Sequence, residues 1–255
     1  MRIAINQVDD VGLRAGRILL GERRMSSLGV VGRRPSTIVD RRLEAAVDLG
    51  AYDVLVTDDV VDPIAQAEAA LDAGISCVLW ADGTDELAAL SDRFVAAGST
   101  LLVGANLAAG IAPCLAAHEQ AASTEILDVS IAWTEPGRPL RRGEAIPFPD
   151  PVGARWARPL PTDGAVRRYV APLDGEWAGA MARVTTGTRS GVLSRVVGVA
   201  DLAPHLEALA LAAGVLTIGD YGYGVVHAAD RAEAFLANAL NAGLDVAAYS
   251  LHEEA

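Results

Sequence analysis

Residues 1–22, MRIAINQVDDVGLRAGRILLGE, carry the pattern that decides the fold. The apolar run RIAI (2–5) indicates a short strand, and a polar turn and a helix follow it. A helix start of this kind binds phosphate when the turn carries the glycine pattern G-x-G-x-x-G. Here an Asn-Gln pair beginning at Asn6 stands at the first glycine position, and only Gly12 and Gly16 follow. The stretch therefore predicts a strand, a turn and a helix with an incomplete glycine pattern.

The same alternation continues to about residue 122. Further short apolar runs lie at 27–32, 53–58, 76–82 and 100–106, with helical stretches at 62–74 and 84–98 and a possible short helix at 40–49. Strands with little polar alternation, separated by helices, are typical of a parallel sheet covered on both faces. We therefore predict an α/β fold with an N-terminal Rossmann-like, doubly wound parallel sheet.

Capping residues support the positions of these helices. Asp62 is a candidate N-cap with Pro63 at the first helical position, and Thr84 is a candidate N-cap of the next helix. Gly74 and Gly98 follow the two helices at their carboxyl ends.

The pattern changes after residue 122. Residues 124–133 predict a longer, partly alternating strand, and further strands are predicted at 179–188 and 192–201. We expect residues 123–213 to form a smaller α+β domain with a mixed sheet, used for substrate binding or oligomerisation. The segment 214–255 is expected to pack back on the first domain, which spans residues 1–122.

Composition excludes several classes of function. The net charge of −12 argues against nucleic acid as the partner, because phosphate binding needs clustered positive charge. The chain contains no lysine, which excludes a lysine base or a Schiff base. Cys77 and Cys114 stand in apolar contexts and predict buried free thiols, and no Cys/His cluster has metal-ligand spacing. Without a long apolar run or a signal-peptide pattern, we expect a cytoplasmic protein with no membrane segment and no metal.

Ligands of an open parallel sheet bind beyond the carboxyl ends of its strands. After the first strand, backbone N–H groups near Val11 and Gly12 are candidates to hold a pyrophosphate, with Gly16 on the same helix. The neighbouring Asp9-Asp10 pair would repel a phosphate unless both side chains point away or cap the helix. After the second strand, Arg33 and Arg34 stand where an NAD site carries a carboxylate, which favours NADP over NAD. Two solvated loop arginines are the alternative interpretation.

Two later stretches resemble dihydrodipicolinate reductases. Gly83-Thr84, after the fourth predicted buried strand, looks like the turn of that family that approaches the nicotinamide. VGANLAAGIAPCLAAHE (103–119) looks like the family's exit from the Rossmann domain, and Asn106 falls on its asparagine. The resemblance implies a nicotinamide cofactor at these residues. The family's paired histidines, lysine and S-G-T turn are absent, so its reaction is not transferred.

A third stretch resembles saccharopine dehydrogenase-like proteins. AIPFPDPVGARW (145–156) is similar to their F-P-x-P-x-G segment, and those proteins act on amino-acid adducts. It lies in a segment, 134–164, that holds seven of the twelve prolines. Arg155 and Trp156 are therefore candidates to bind a carboxylate substrate under an aromatic wall. A surface loop whose arginines pair with the protein's own carboxylates is the alternative interpretation.

The proton donor is not identified by any motif. His227 and Tyr223, in GDYGYGVVHAAD (219–230), and Asp82, at a strand end, are the candidates. Core packing is the alternative role for the histidine and the tyrosine.

These observations predict an NADP-dependent oxidoreductase that acts on a small carboxylate-bearing imine or carbonyl compound. The alternative is a cofactor-free ligand-binding or sensory protein on the same fold, because the departures fall at the phosphate turn and the catalytic positions. We expect a homo-oligomer in either case.

Overall fold

The computed structural model describes residues 1–6, 10–32, 38–57, 62–137, 140, 142–161, 164–188 and 191–254. Within them the strands are β1 (Arg2–Asn6), β2 (Ser27–Val31), β3 (Leu43–Ala45), β4 (Val54–Thr57), β5 (Ser76–Leu79), β6 (Thr100–Val103), β7 (Ile126–Glu135), β8 (Glu144–Pro147), β9 (Ala154–Pro159), β10 (Val166–Pro172), β11 (Trp177–Thr188), β12 (Gly191–Leu202), β13 (Gly224–His227) and β14 (Ala247–Glu254). The helices are α1 (Asp10–Gly21), α2 (Pro63–Asp72), α3 (Asp85–Ala88), α4 (Ser91–Ala97), α5 (Ala112–Ala121), α6 (Ala203–Thr217) and α7 (Ala232–Asn241).

The first sheet is parallel throughout and has the order β13-β6-β5-β4-β1-β2-β3. The chain leaves β1 toward β2 on one side, and β4 pairs with β1 on the other, so the strand order reverses there. This is the doubly wound arrangement, and it confirms the predicted fold class. One apolar cluster covers a face of the sheet with α2, α3 and α4, and a second covers the other face with α1 and α6.

The predicted caps at Asp62 and Thr84 are confirmed. The Asp62 side chain accepts a hydrogen bond from Ala65 N (3.0 Å), and the Thr84 hydroxyl accepts one from Leu87 N (3.3 Å). The stretch predicted as one helix at 84–98 forms two, α3 and α4.

The prediction of a short helix at 40–49 is wrong. Residues 43–45 form β3 at the edge of the sheet, where Leu28 N donates to Arg42 O and Ala46 N donates to Val30 O, both at 2.9 Å. The free edge of β2 supplies these partners, and pairing with it outweighs local helix propensity.

The second sheet is mixed, with the order β14-β12-β11-β7-β10-β9-β8. Its central strand β7 pairs antiparallel with β11 and parallel with β10. The proline-rich segment contributes β8 and β9 as an antiparallel pair at one edge of this sheet.

The chain returns to the first sheet before residue 214. Helix α6, which includes residues 203–213, packs against α1 and the strands of the first sheet, and β13 then pairs with β6. The approach is close at Gly214, where a Cβ would lie 2.9 Å from Leu102 and 3.0 Å from Val78. The final strand, β14, pairs with β12 of the second sheet.

Cys77 and Cys114 are buried free thiols, as predicted, and burial raises the pKa of both. In the described part of the chain, no helix is both long enough and apolar enough to cross a bilayer.

Candidate functional site

A pocket of about 310 Å³ lies between the carboxyl edge of the first sheet and the end of β7. Four segments line it: Trp80–Asp82 after β5, Asn106–Ala108 after β6, Trp133–Pro136 on and after β7, and Glu207 on α6. Open parallel sheets bind their ligands at this edge. We therefore take the pocket as the candidate site.

Asn106 holds the two strand ends of the pocket together. Its amide nitrogen donates to Trp80 O and to Asp82 Oδ1, both at 2.7 Å, and its Oδ1 accepts from Ala109 N at 2.7 Å. The Asn106 side chain is buried, whereas Trp80 and Ala109 are half-buried and Asp82 is exposed. Asn106 therefore positions the Asp82 carboxylate while it caps the π-helical turn Leu107–Ile111.

Glu207 brings a carboxyl group from α6 into the pocket. Its Oε2 accepts hydrogen bonds from Trp80 Nε1 (2.7 Å) and Leu107 N (3.1 Å). The pKa of the Glu207 carboxyl is raised to about 7, mainly by burial and also by the charge of Asp82, while the two hydrogen bonds oppose the shift. The group is therefore poised to exchange a proton near neutral pH.

Trp133 forms the wall on the second sheet, and Arg168 on β10 lies against the Trp133 ring without lining the pocket itself. The Arg168 guanidinium lies 5.2 Å from the centre of the Trp133 ring, in a cation–π contact. Among the described residues no carboxylate pairs with Arg168, and its Nε is buried without a hydrogen-bond partner. A guanidinium without an internal partner, in so acidic a protein, is suited to an external anion.

Three predicted residues meet beside the pocket. Gly83 follows β5, Thr84 caps α3, and His227 ends β13. A Cβ at Gly83 would lie 2.7 Å from His227 Cε1, so the glycine makes room for the imidazole. His227 is exposed, and its backbone N donates to Asp230 Oδ2 at 2.8 Å, which caps the following turn.

The predicted phosphate-binding residues lie at the start of α1. Val11 and Gly12 are in its first turn, and a Cβ at Gly16 would lie 3.2 Å from Leu28, so this glycine allows close packing of α1 on β2. The Asn6 amide donates to Gln66 on α2 at 2.6 Å. Asp9, Arg33 and Arg34 lie outside the described residues.

Three predicted residues do not join the pocket. Tyr223 lies before β13 at the amino edge of the sheet, near Met1 and Thr100, on the side opposite Asp82. Arg155 and Trp156 lie on β9, two strands away from β7, and do not line the pocket.

Sequence reasoning missed Glu207, Trp133 and Arg168. One feature of the sequence could have indicated a functional role for Glu207: it is the only charged residue in the apolar run LEALALAAGVL (206–216). The side chains of Trp133 and Arg168 meet only because β7 and β10 pair in parallel, which their sequences do not specify.

The residues of the site bear differently on a nicotinamide cofactor and on a metal ion. Gly12 in the first turn of α1 and the groove after β5 and β6 leave room for a dinucleotide, and the acidic lining of Asp82, Glu135 and Glu207 suits a cationic ring. Among the residues that the structure describes, no group of three His, Cys, Asp or Glu side chains is arranged to hold a metal ion.

No protein-family model and no curated protein matches the chain. Solved structures do match it over nearly its whole length. Saccharopine dehydrogenase (L-Glu forming) from Saccharomyces cerevisiae has a TM-score of 0.69 at 8% identity, and the match covers 98% of this chain and 100% of that one. Dihydrodipicolinate reductase from Paenisporosarcina sp. TG-14, with dipicolinate bound, has a TM-score of 0.55 at 12% identity, over 89% of this chain and 97% of that one.

An engineered D-amino acid dehydrogenase bound to NADP⁺ has a TM-score of 0.60 at 14% identity, and the match covers 92% of this chain and 95% of that one. At such identities the likeness shows the fold alone. The resemblance to the dihydrodipicolinate reductase and saccharopine dehydrogenase folds is confirmed at that level.

Proposed function

We propose that this protein is an NADP-dependent oxidoreductase that acts on a small carboxylate-bearing imine or carbonyl compound of amino-acid type. The pocket between the first sheet and β7 is the observation that supports the proposal. It brings together the Glu207 carboxyl, whose pKa is raised, the Asp82 carboxylate bonded to Asn106, and the Trp133 ring, at the edge where this fold binds ligands. Structural neighbours named as amino-acid dehydrogenases and reductases support it.

The proposed cofactor site runs along the carboxyl edge of the first sheet. Backbone N–H groups at Val11 and Gly12 would hold the pyrophosphate, and Gly83, Thr84 and Asn106 would border the nicotinamide. Arg33 and Arg34 would bind the 2′-phosphate that distinguishes NADP from NAD. When bound, the cofactor supplies or accepts a hydride, and the protein supplies orientation and a proton.

The proposed substrate interactions follow from charge. Arg168, stacked on Trp133, would bind the substrate carboxylate. The carboxyl groups of Asp82, Glu135 and Glu207 would favour an ammonium or iminium group on the same substrate. An amino acid or its imine carries both charges on a small frame.

Calorimetric titration of the protein with NADPH and NADH tests the proposal. We expect micromolar affinity for NADPH, weaker affinity for NADH, and a loss of at least about tenfold for NADPH in Arg33→Ala/Arg34→Ala. Arg23→Ala/Arg41→Ala is the matched control, because it removes two exposed arginines that lie away from the carboxyl edge. If neither nucleotide binds at millimolar concentration, the oxidoreductase proposal fails.

A cofactor-free ligand-binding protein is the second candidate. It is favoured by the start of α1, where Asn6 replaces the first glycine and is engaged with Gln66 at 2.6 Å, and where the exposed Asp10 opens the helix. In that case we expect binding of a small zwitterionic amino acid that weakens in Arg168→Ala, with no nucleotide binding.

We also propose that the protein is cytoplasmic and forms a homo-oligomer. The second sheet offers an edge for assembly, because β14 is its outermost strand and exposes Tyr249 and Leu251.

A further inference from the structure

We propose that Glu207 is the proton donor of the reaction, with Oε1 as the donating atom and Trp80 as the residue that positions it. The inference rests on the proposed function and extends it to a catalytic residue. It stands on the placement of one carboxyl group whose two oxygens have different surroundings.

The two oxygens of Glu207 are not equivalent. Oε2 accepts hydrogen bonds from the Trp80 indole and the Leu107 backbone N–H, which occupy its lone pairs. Within the described part of the chain, no group hydrogen-bonds to Oε1. A proton on this carboxyl therefore sits on Oε1, on a side chain that lines the pocket and keeps partial exposure.

Other acidic and basic groups near the pocket are less suited to this role. Asp82 is exposed, and its Oδ1 already accepts a hydrogen bond from the Asn106 amide. His227 is exposed beside Gly83 and does not line the pocket. Glu135 is exposed, and its Oε1 lies 3.8 Å from Arg158 Nη2. Glu207 alone combines enclosure with an open oxygen among the groups that line the pocket.

Burial first, and then the charge of Asp82, raise the pKa of Glu207 to about 7. Described charged residues on or next to the elements packed against α6 include Asp10, Arg14 and Arg17 on α1, Arg24 after it, Asp53 before β4, Asp82 after β5, Glu176 and Arg183 at β11, Arg195 and Asp201 on β12, His205 on α6 itself, Asp220 after α6, and Arg231 and Glu233 by α7. Of these, Asp82 raises the pKa of Glu207, and no cationic group lowers it. The only interactions that favour the carboxylate are the hydrogen bonds to Oε2.

In the reductive direction, a reduced nicotinamide bound along the carboxyl edge would supply the hydride for the new C–H bond at the carbon of a neutral imine. The C=N π pair moves to nitrogen, which takes the proton from Glu207 Oε1, so that one amine and one carboxylate result. The negative charge left on Glu207 is stabilised by the two N–H donors on Oε2, and water in the open pocket returns the proton. With a carbonyl substrate, oxygen takes the proton in the same way.

Indole NMR tests whether Glu207 holds a proton near neutral pH without any ligand. The protein has four tryptophans, and Trp80→Phe assigns the resonance of Trp80 Nε1–H. We expect this resonance to titrate with a midpoint of about 7 in the wild type and to lose that titration in Glu207→Gln, while the other three indoles serve as internal controls. A midpoint near 4.5, the ordinary value of a glutamate, overturns the proposal, as does a titration unchanged in Glu207→Gln.

Proton counting on cofactor binding tests whether Glu207 faces the nicotinamide. Calorimetry at about pH 6.5, in buffers of different ionisation enthalpy, gives the protons released when NADP⁺ binds. We expect the wild type to release a fraction of a proton with NADP⁺, because the cationic ring stabilises the Glu207 carboxylate, and to release less with NADPH. Glu207→Gln should bind NADP⁺ without this release.

The two failures are distinguishable. Absence of nucleotide binding defeats the proposed function, while the indole titration still reports the state of Glu207. Nucleotide binding with equal proton release in the wild type and in Glu207→Gln leaves the proposed function intact and overturns the assignment of the proton donor.

Discussion

Replacing Glu207 with glutamine is expected to remove a pH-dependent loss of stability. The wild-type carboxyl is enclosed among Trp80, Leu107 and α6, and its pKa is raised from 4.5 to about 7 by burial and by Asp82. Glutamine keeps an oxygen that can accept from Trp80 Nε1 and Leu107 N, but it cannot ionise. The substitution therefore removes the charge and retains the hydrogen bonds.

The magnitude follows from proton linkage. An acid whose pKa is higher in the folded state binds more protons when folded, so stability falls as pH rises from the unfolded value of 4.5 to the folded value of about 7. At 1.36 kcal/mol per pKa unit, the wild type loses about 3 kcal/mol across this window relative to Glu207→Gln, and the difference is constant above it. The loss is absent below pH 4.5, where both states are protonated.

Urea denaturation between about pH 5 and 8.5 measures this difference. Glu176→Gln is the matched control, because Glu176 is an exposed carboxylate on a loop and its replacement should leave the pH dependence unchanged. Wild-type and Glu207→Gln stabilities that run parallel across the whole pH range would refute the reasoning, since the carboxyl would then titrate as it does in the unfolded chain.

Three further substitutions have defined outcomes. Trp80→Phe removes a hydrogen bond that lowers the pKa of Glu207, whereas Asp82→Asn removes a charge that raises this pKa. In the same urea series, the pH at the midpoint of the stability change should therefore be higher in Trp80→Phe and lower in Asp82→Asn than in the wild type. Asn106→Ala removes three part-buried hydrogen bonds and should lower the free energy of unfolding by about 2 kcal/mol in urea, whereas a loss below about 0.5 kcal/mol would contradict the role of Asn106 in joining the two strand ends. Asp62→Ala removes the N-cap of α2 and should lower the free energy of unfolding by about 1 kcal/mol, measured by thermal denaturation. An unchanged melting temperature would contradict a stabilising role of this cap.

The first sheet was predictable because its strands are buried on both faces and its helices carry caps. Runs such as 76–82 and 100–106 need only their own residues to be recognised, and β5 and β6 form within them. The strand β3 was missed because its hydrogen bonds come from β2, so residues 43–45 alone do not specify it. Edge strands of three or four residues depend on their partner more than on their sequence.

Some residues of the candidate site could likewise be located from the sequence, and others could not. Asp82, Gly83 and Asn106 follow buried strands directly, so the edge rule locates them from sequence. Glu207 follows no strand and stands 101 positions after Asn106. It reaches the pocket because α6 crosses the first sheet at close range, through Gly214. Such a contact is set by tertiary packing, which sequence spacing does not encode.

The late return of the chain has a consequence for how the protein is made. Both sheets receive an edge strand from the last 32 residues, β13 in the first sheet and β14 in the second. Helix α6, which covers the apolar face of α1, is synthesised more than 180 residues after α1, so this face stays exposed during most of translation. We therefore expect a nascent chain that ends near residue 122 to depend on chaperones, and a fragment meant to isolate the first sheet must carry residues 203–227 as well.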